Sequence, residues 1–249
     1  MNSIDVLDDI KTEQINKLPL LEQTLLVDLE PFGEVILVRH GQQGDNGLND
    51  PSRDKAGDVA LSDRGQRQAA AVGVALARRP LDGIYCSNLL RAHMTAQAIA
   101  SHHGLTPIVD ERLREIEIYR DVRPGKSVLD EIGQDGVDEV KRRFQKTLRW
   151  DSFPLSETRP EIDHRLSGAM ERILGEHDES HRIVIVCHGA LINAIVRRTI
   201  GVDADMFYFP AHASISRLGR GGDRMMVRSL NETGHLPAST NDEENLFTF

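Results

Sequence analysis

This 249-residue chain has two cysteines, one tryptophan and only 4% aromatic residues. Two thiols build no disulfide scaffold. Cys86 and Cys187 each end a short apolar run, where a buried free thiol is expected. That usage suits a reducing compartment. No apolar run approaches the ~18 residues of a membrane span, so no membrane partner is expected. The N-terminus opens on acids at Asp5, Asp8 and Asp9 rather than on a basic segment, which argues against a secretory signal. Cytoplasm is the default expectation. Basic residues are the minority, 30 against 39 acidic ones, for a net charge of −9. A nucleic-acid binder usually carries a basic footprint, so no nucleic-acid partner is expected. No His-Glu-x-x-His or clustered-carboxylate pattern points to a metal, and His102-His103, at a helix end, fits carbonyl capping. Internal repeats and low-complexity linkers are also missing. Length alone allows one or two domains, and a hydrophobic fraction of 39% with 28% charged residues fits a globular protein with an ample core.

What the chain does have is a repeated juxtaposition. Arg39-His40-Gly41 follows the apolar run Glu34–Val38, and Cys187-His188-Gly189 follows Ile183–Val186. Short, continuous, β-branched runs read as strands buried on both faces. In parallel α/β sheets ligands bind at the carboxyl ends of the strands, so the two histidines are expected to face one pocket. A third short run, Gly83–Cys86, leads into Ser87–Ala96, where Ser87 reads as an N-cap and the alanines favour helix. Arg91 then falls in the first turn, beside N–H groups that already favour an anion. Arg39 and Arg91 with two histidines repel one another unless an anion joins them, and a phosphoryl group suits forked guanidinium donors.

Residues 1–32 form an N-terminal extension. Leu21, Leu25, Leu26 and Leu29 make one apolar stripe, so a short amphipathic helix is expected there. It packs on its own domain, contacts a second copy or covers the site. Residues 33–240 form the main domain and 241–249 an acidic tail. Residues 41–61 make a long loop that starts at His40 and suits a pocket wall. Helices are expected over 62–78, 88–103, 128–150, 165–176 and 190–199. A short strand is expected over 106–109, and two strands over 213–218 and 225–230 around the Gly-rich turn Arg220–Asp223. Alternating strands and helices predict a three-layer α/β sandwich with a mostly parallel central sheet flanked by helices.

Taken in order, Arg39-His40-Gly41, Leu61-Ser62 with Gly65 and Gln68-Ala69, Ser87, Leu89, Arg91-Ala92, Thr95-Ala96 and His188-Gly189 resemble the histidine phosphatase superfamily, the phosphoglycerate-mutase-like fold. The resemblance spans roughly residues 33–236, and Asn231–Leu236 resembles the closing motif of phosphatase-type members. It implies that His40 is a nucleophile that becomes a phosphohistidine, with its tautomer fixed by a backbone carbonyl. It implies that Arg39, Asn46, Arg91, His188 and Gly189 hold the phosphoryl group. Glu115, in Leu113-Arg114-Glu115, matches the general acid/base, with Glu117 as the neighbouring alternative. No cofactor and no metal are implied.

The substrate class implied is a small phosphorylated molecule. Two rivals to a phosphomonoesterase are a phosphoglycerate-mutase-type transferase and a non-catalytic phosphate-binding module. Arg120, Arg123 and Lys126 either bind a second anionic group, as a mutase needs, or form a solvated basic loop, the simpler reading. Tyr119, Trp150 and Phe153 line a pocket or belong to the core. Oligomeric state is not fixed by the sequence, although a homodimer is a reasonable expectation.

Overall fold

A computed structural model describes residues 33–44, 58–221 and 224–237. The expected N-terminal helix, Asn46, the tip of the Gly-rich turn and the acidic tail lie outside the described residues.

Six strands form one sheet: β1 (Gly33–Arg39), β2 (Gly83–Cys86), β3 (Ile108–Val109), β4 (Arg182–Cys187), β5 (Ile215–Gly221) and β6 (Arg224–Glu232). Their spatial order is β3-β2-β4-β1-β5-β6. β3, β2, β4 and β1 run parallel. β5 adds on antiparallel to β1, and β6 pairs antiparallel with β5, so the sheet is mostly parallel, as expected.

Among the described residues five helices flank it: α1 (Asp63–Leu76), α2 (Leu90–Ala100), α3 (Val128–Thr147), α4 (Arg159–Gly175) and α5 (Gly189–Ile200). On one face of the sheet Ile36, Val38, Val184 and Val186 pack with residues of α1 and α2. On the other, Val35, Leu37, Ile183 and Ile185 meet α4 and α5. Residues of one strand alternate between the two cores, which is why β1 and β4 need apolar side chains at nearly every position.

Helix starts follow local chemistry. The Ser62 hydroxyl caps α1 by accepting from the Gly65 N–H. α4 begins six residues before the expected 165, because Thr158 and Glu161 form a capping box with Pro160 in the first turn. α3 carries a kink at Gly133, whose φ of 67° breaks the helical run. Phe144 on its inner face stacks on Trp150, and Phe153 and Tyr119 extend the cluster. Trp150 is therefore core, and the other three aromatics pack against that core or one another. Both cysteines are free and buried, as their strand-end positions predicted.

Glu34, next to the apolar run Val35–Val38 of β1, is 3% exposed. Its carboxylate is held by Arg182 at 2.9 Å and Arg217 at 3.2 Å. Burial works to raise this carboxyl, but the hydrogen bonds and charges of Arg182 and Arg217 outweigh it and hold the group below its ordinary range. Glu34→Gln is expected to cost about 3 kcal/mol at neutral pH, measurable by urea denaturation. Because the folded value is depressed, that stabilisation exists above the ordinary carboxylate range and is lost as pH falls through the folded value. The wild type and the variant therefore converge in acid.

Candidate active site

The site forms where three parallel strands end. His40 follows β1, Ser87 follows β2 and His188 follows β4. The His40 N–H donates to the Cys187 carbonyl (3.0 Å) and the Ser87 N–H to the Val186 carbonyl (3.1 Å), so the three residues emerge side by side. His40 and His188 are both buried, with ring centroids 5.0 Å apart.

Close backbone approach shapes the turn after His40. A Cβ on Gly41 would lie 2.5 Å from the Gly65 carbonyl oxygen, and one on Gly65 would lie 2.0 Å from that of Gln42. Neither position tolerates a side chain, so the loop lies flat on the start of α1. The Gln68 side chain accepts from the Gln42 N–H at 2.8 Å. Thr95 accepts from the Gly41 N–H at 3.1 Å and donates to the Arg91 carbonyl at 2.8 Å. Thr95 thus ties the histidine turn to the helix that carries Arg91.

Hydrogen-bond bookkeeping assigns the His40 tautomer. Its Nδ1 lies 2.7 Å from the Gly41 carbonyl oxygen, which only accepts, so Nδ1 carries the proton. Nε2 keeps its lone pair and accepts from Arg91 Nε at 3.2 Å. Burial, His188, Arg91, Arg39 and His212 all push this imidazole well below its ordinary value. Burial, Arg91 and Arg39 do the same to His188.

His188 presents Nε2 to the Ser87 hydroxyl at 2.9 Å. Its Nδ1 is buried with no hydrogen-bond partner among the described residues. Ser87 is therefore not the expected N-cap: α2 starts at Leu90 with Leu89 at the cap position. Asp58 instead accepts from the Leu90 N–H at 2.5 Å. Arg91 still lies in the first turn, as predicted. Gly189 opens α5 directly after His188, so its N–H is one of the unpaired donors of a helix N-terminus.

Arg39 is buried and donates from Nη1 to the Pro210 carbonyl at 2.7 Å. Glu115 accepts from the Ile116 N–H at 3.0 Å and from the Ala190 N–H, in the first turn of α5, at 3.4 Å. Burial raises its carboxyl above the ordinary range despite those bonds and the charges of Arg39 and Arg91. Glu117 is half exposed and pairs with Arg114 at 3.8 Å. Of the two glutamates, Glu115 is the one within the field of the arginine cluster. Arg120 pairs with Glu161 and Arg123 with Glu131 at the surface, which fits the solvated basic loop. The structure thus gathers Arg39, His40, Arg91, Glu115, His188 and Gly189. Asn46 lies outside the described residues.

Three features escaped the sequence reading. His212 is buried with its ring 5.6 Å from that of His40. It precedes β5, which runs antiparallel to β1, so an amino-terminal flank lies beside a carboxyl-terminal one. A histidine before a predicted strand was the available signal. Second, Asn231, in the closing motif, accepts from the Ala211 N–H at 2.7 Å. The 211–214 turn that it braces donates from the Ala213 N–H to the His40 carbonyl. Third, Arg165 donates to the Arg112 and Arg114 carbonyls and to Glu157, fixing the segment that bears Glu115. These contacts join residues about 50 positions apart in the case of Arg165 and the loop carbonyls, and no local pattern marks them.

Among the described residues no group of three or more His, Cys, Asp or Glu is placed to hold a metal, and no helix is long and apolar enough to cross a membrane. Comparison with known proteins agrees with the geometry. The chain is 30% identical over 211 residues to phosphoserine phosphatase 1 of Hydrogenobacter thermophilus, covering 82% of this chain and 94% of that one. A solved mycobacterial glucosyl-3-phosphoglycerate phosphatase superposes with a TM-score of 0.62 at 26% identity, over 81% of this chain and 100% of its own. A phosphoglycerate mutase from Bacillus anthracis shares the fold, with a TM-score of 0.66 at 18% identity over 84% of this chain and 97% of its own. The sequence model of the histidine phosphatase superfamily (branch 1) matches residues 35–233, and the chain belongs to that family.

Proposed function

We propose that this protein hydrolyses a small phosphate monoester, without a metal, through a phosphohistidine on His40. The observation that carries the reading is the His40 imidazole. It is buried, fixed with Nδ1–H on the Gly41 carbonyl, and presents the Nε2 lone pair beside Arg91. Burial and four cationic or titratable neighbours keep it unprotonated, the state in which it attacks.

Nε2 forms a bond to phosphorus as the P–O ester bond breaks. Glu115 gives its proton to the leaving oxygen, then takes one from water, whose oxygen attacks phosphorus and releases His40 and inorganic phosphate. Arg39, Arg91, the Gly189 N–H, His188 and Asn46 hold the non-bridging oxygens and stabilise their growing charge. His188 Nδ1, buried without a partner among the described residues, is the atom that faces the phosphoryl group. The negative charge of that group counters the arginines and favours a proton on His188. Relatives named for phosphoserine and glucosyl-3-phosphoglycerate support a small phosphorylated substrate. The mutase reading draws no support from Arg120 and Arg123, which are committed to surface carboxylates.

The direct test is hydrolysis of para-nitrophenyl phosphate in EDTA. Turnover that survives chelation is expected. Activity that disappears with the chelator and returns with added metal overturns the metal-free mechanism, and no hydrolysis at all sends the question to phosphate-transfer assays.

Glu115→Gln is expected to slow hydrolysis of alkyl phosphates by about 10²-fold and of para-nitrophenyl phosphate much less, because a good leaving group needs no proton. The pH profile carries the same signature. Activity toward alkyl phosphates rises as His40 loses its proton, below the ordinary histidine range, and falls as Glu115 loses its own, above the ordinary carboxylate range. The alkaline limb disappears in Glu115→Gln. Equal slowing of both substrates would place the acid elsewhere.

A further inference from the structure

At the other end of β4, two histidines converge. His177 and His181 lie in the connection from α4 to β4, with their Nδ1 atoms 3.2 Å apart. The His177 ring fits only because Gly83 in β2 has no side chain: a Cβ there would lie 2.7 Å from His177 Nε2.

The outer nitrogen of each ring faces an acceptor. The Tyr85 hydroxyl lies 2.8 Å from Glu176 Oε2 and 2.9 Å from His177 Nε2. A phenol has one proton, and a carboxylate only accepts. Tyr85 therefore donates to Glu176, and His177 Nε2–H donates to Tyr85. His181 Nε2 faces Asp178 Oδ2 at 3.6 Å, which favours a proton on that nitrogen too. The 3.2 Å approach of the two Nδ1 atoms is closed either by a proton on one of them or by a cation that both lone pairs bind.

We propose that His177 and His181 chelate a divalent transition-metal ion of the zinc, copper or nickel class through their Nδ1 atoms. Two imidazole nitrogens at about 2.05 Å from a tetrahedral ion stand about 3.3 Å apart. The acidic partners behind both rings are the arrangement that orients metal-bound histidines and raises their basicity. The Glu176 carboxylate stands behind Tyr85 on the His177 side, and Arg220 donates to the His177 carbonyl at 3.2 Å. Water completes the coordination. Seven residue steps of extended chain lead from His181 to His188, roughly 23 Å, so the ion sits in the α4–β4 connection away from the phosphoryl chemistry.

Cu(II) titrated into the full chain, followed by electron paramagnetic resonance, tests this. One ion per chain with hyperfine coupling to two nitrogens is expected, displaced by Zn(II). His181→Ala, at a partly exposed position, is expected to abolish the two-nitrogen signal, and Tyr85→Phe to weaken binding about tenfold. Hydrolysis of para-nitrophenyl phosphate by His181→Ala should match wild type, so this site and the phosphatase reading fail separately. No two-nitrogen signal in the wild type, or the same signal in His181→Ala, overturns the proposal. The second outcome would place copper elsewhere, as at His40 and His188.

Discussion

His40→Ala is expected to reduce phosphomonoester hydrolysis by at least about 10⁴-fold. Removing the nucleophile of a preorganised site costs on this order or more, and the remaining donors leave only residual catalysis. Deleting the imidazole also removes the lone pair that accepts from Arg91. Phosphate binding should outlast turnover, because Arg39, Arg91 and His188 still supply donors. The clean measurement pairs single-turnover hydrolysis with acid-labile, alkali-stable phosphoryl labelling of the protein. Wild type should carry label and the variant none. Label that persists in His40→Ala would move the nucleophile, with His212, 5.6 Å from His40 by ring centroid, as the next histidine to test.

Arg91→Lys is expected to cost about 10³-fold in kcat/KM, with kcat taking most of the loss. On the proposed mechanism one guanidinium has two tasks: its Nε–H meets His40 Nε2 at 3.2 Å, and its other donors hold the phosphoryl group. An ammonium on a flexible stem cannot hold both directions at once. Burial makes the site demanding as well. It lowers the Arg91 guanidinium, while the Glu115 and Asp58 carboxylates oppose that shift. Activity within tenfold of wild type would place Arg91 outside the reacting geometry. A loss confined to KM would make it a binding group only.

The two effects differ in origin, so a double variant should not add. On the proposed mechanism His40→Ala removes the bond-forming atom, and once it is gone the orientation supplied by Arg91 has nothing to act on. A double variant near the His40→Ala rate is expected.

Much of the architecture was legible in the chain because it rests on local pattern. Apolar runs at 35–38 and 183–186, each ending at a histidine, marked strands buried on both faces. The parallel arrangement then placed their carboxyl ends together. Arg91 was readable as a first-turn residue. Helix boundaries were less so: the earlier start of α4 rests on the capping box of Thr158 and Glu161 with Pro160 in the first turn. Ser87 misled in the other direction, since a serine before a helix reads as a cap whatever its hydroxyl faces in space.

Sequence by itself determined the covalent and periodic facts: which strands are buried, and which residues are histidine, arginine and glycine. Only the tertiary structure decided what those groups do to one another. The carbonyl that fixes the His40 tautomer, the arginines that lower it, the desolvation that raises Glu115 and the antiparallel strand that delivers His212 all depend on distances between remote segments. Electrostatic and hydrogen-bond energies fall off over a few ångströms and depend on burial. Sequence separation carries none of that information, and folding supplies it.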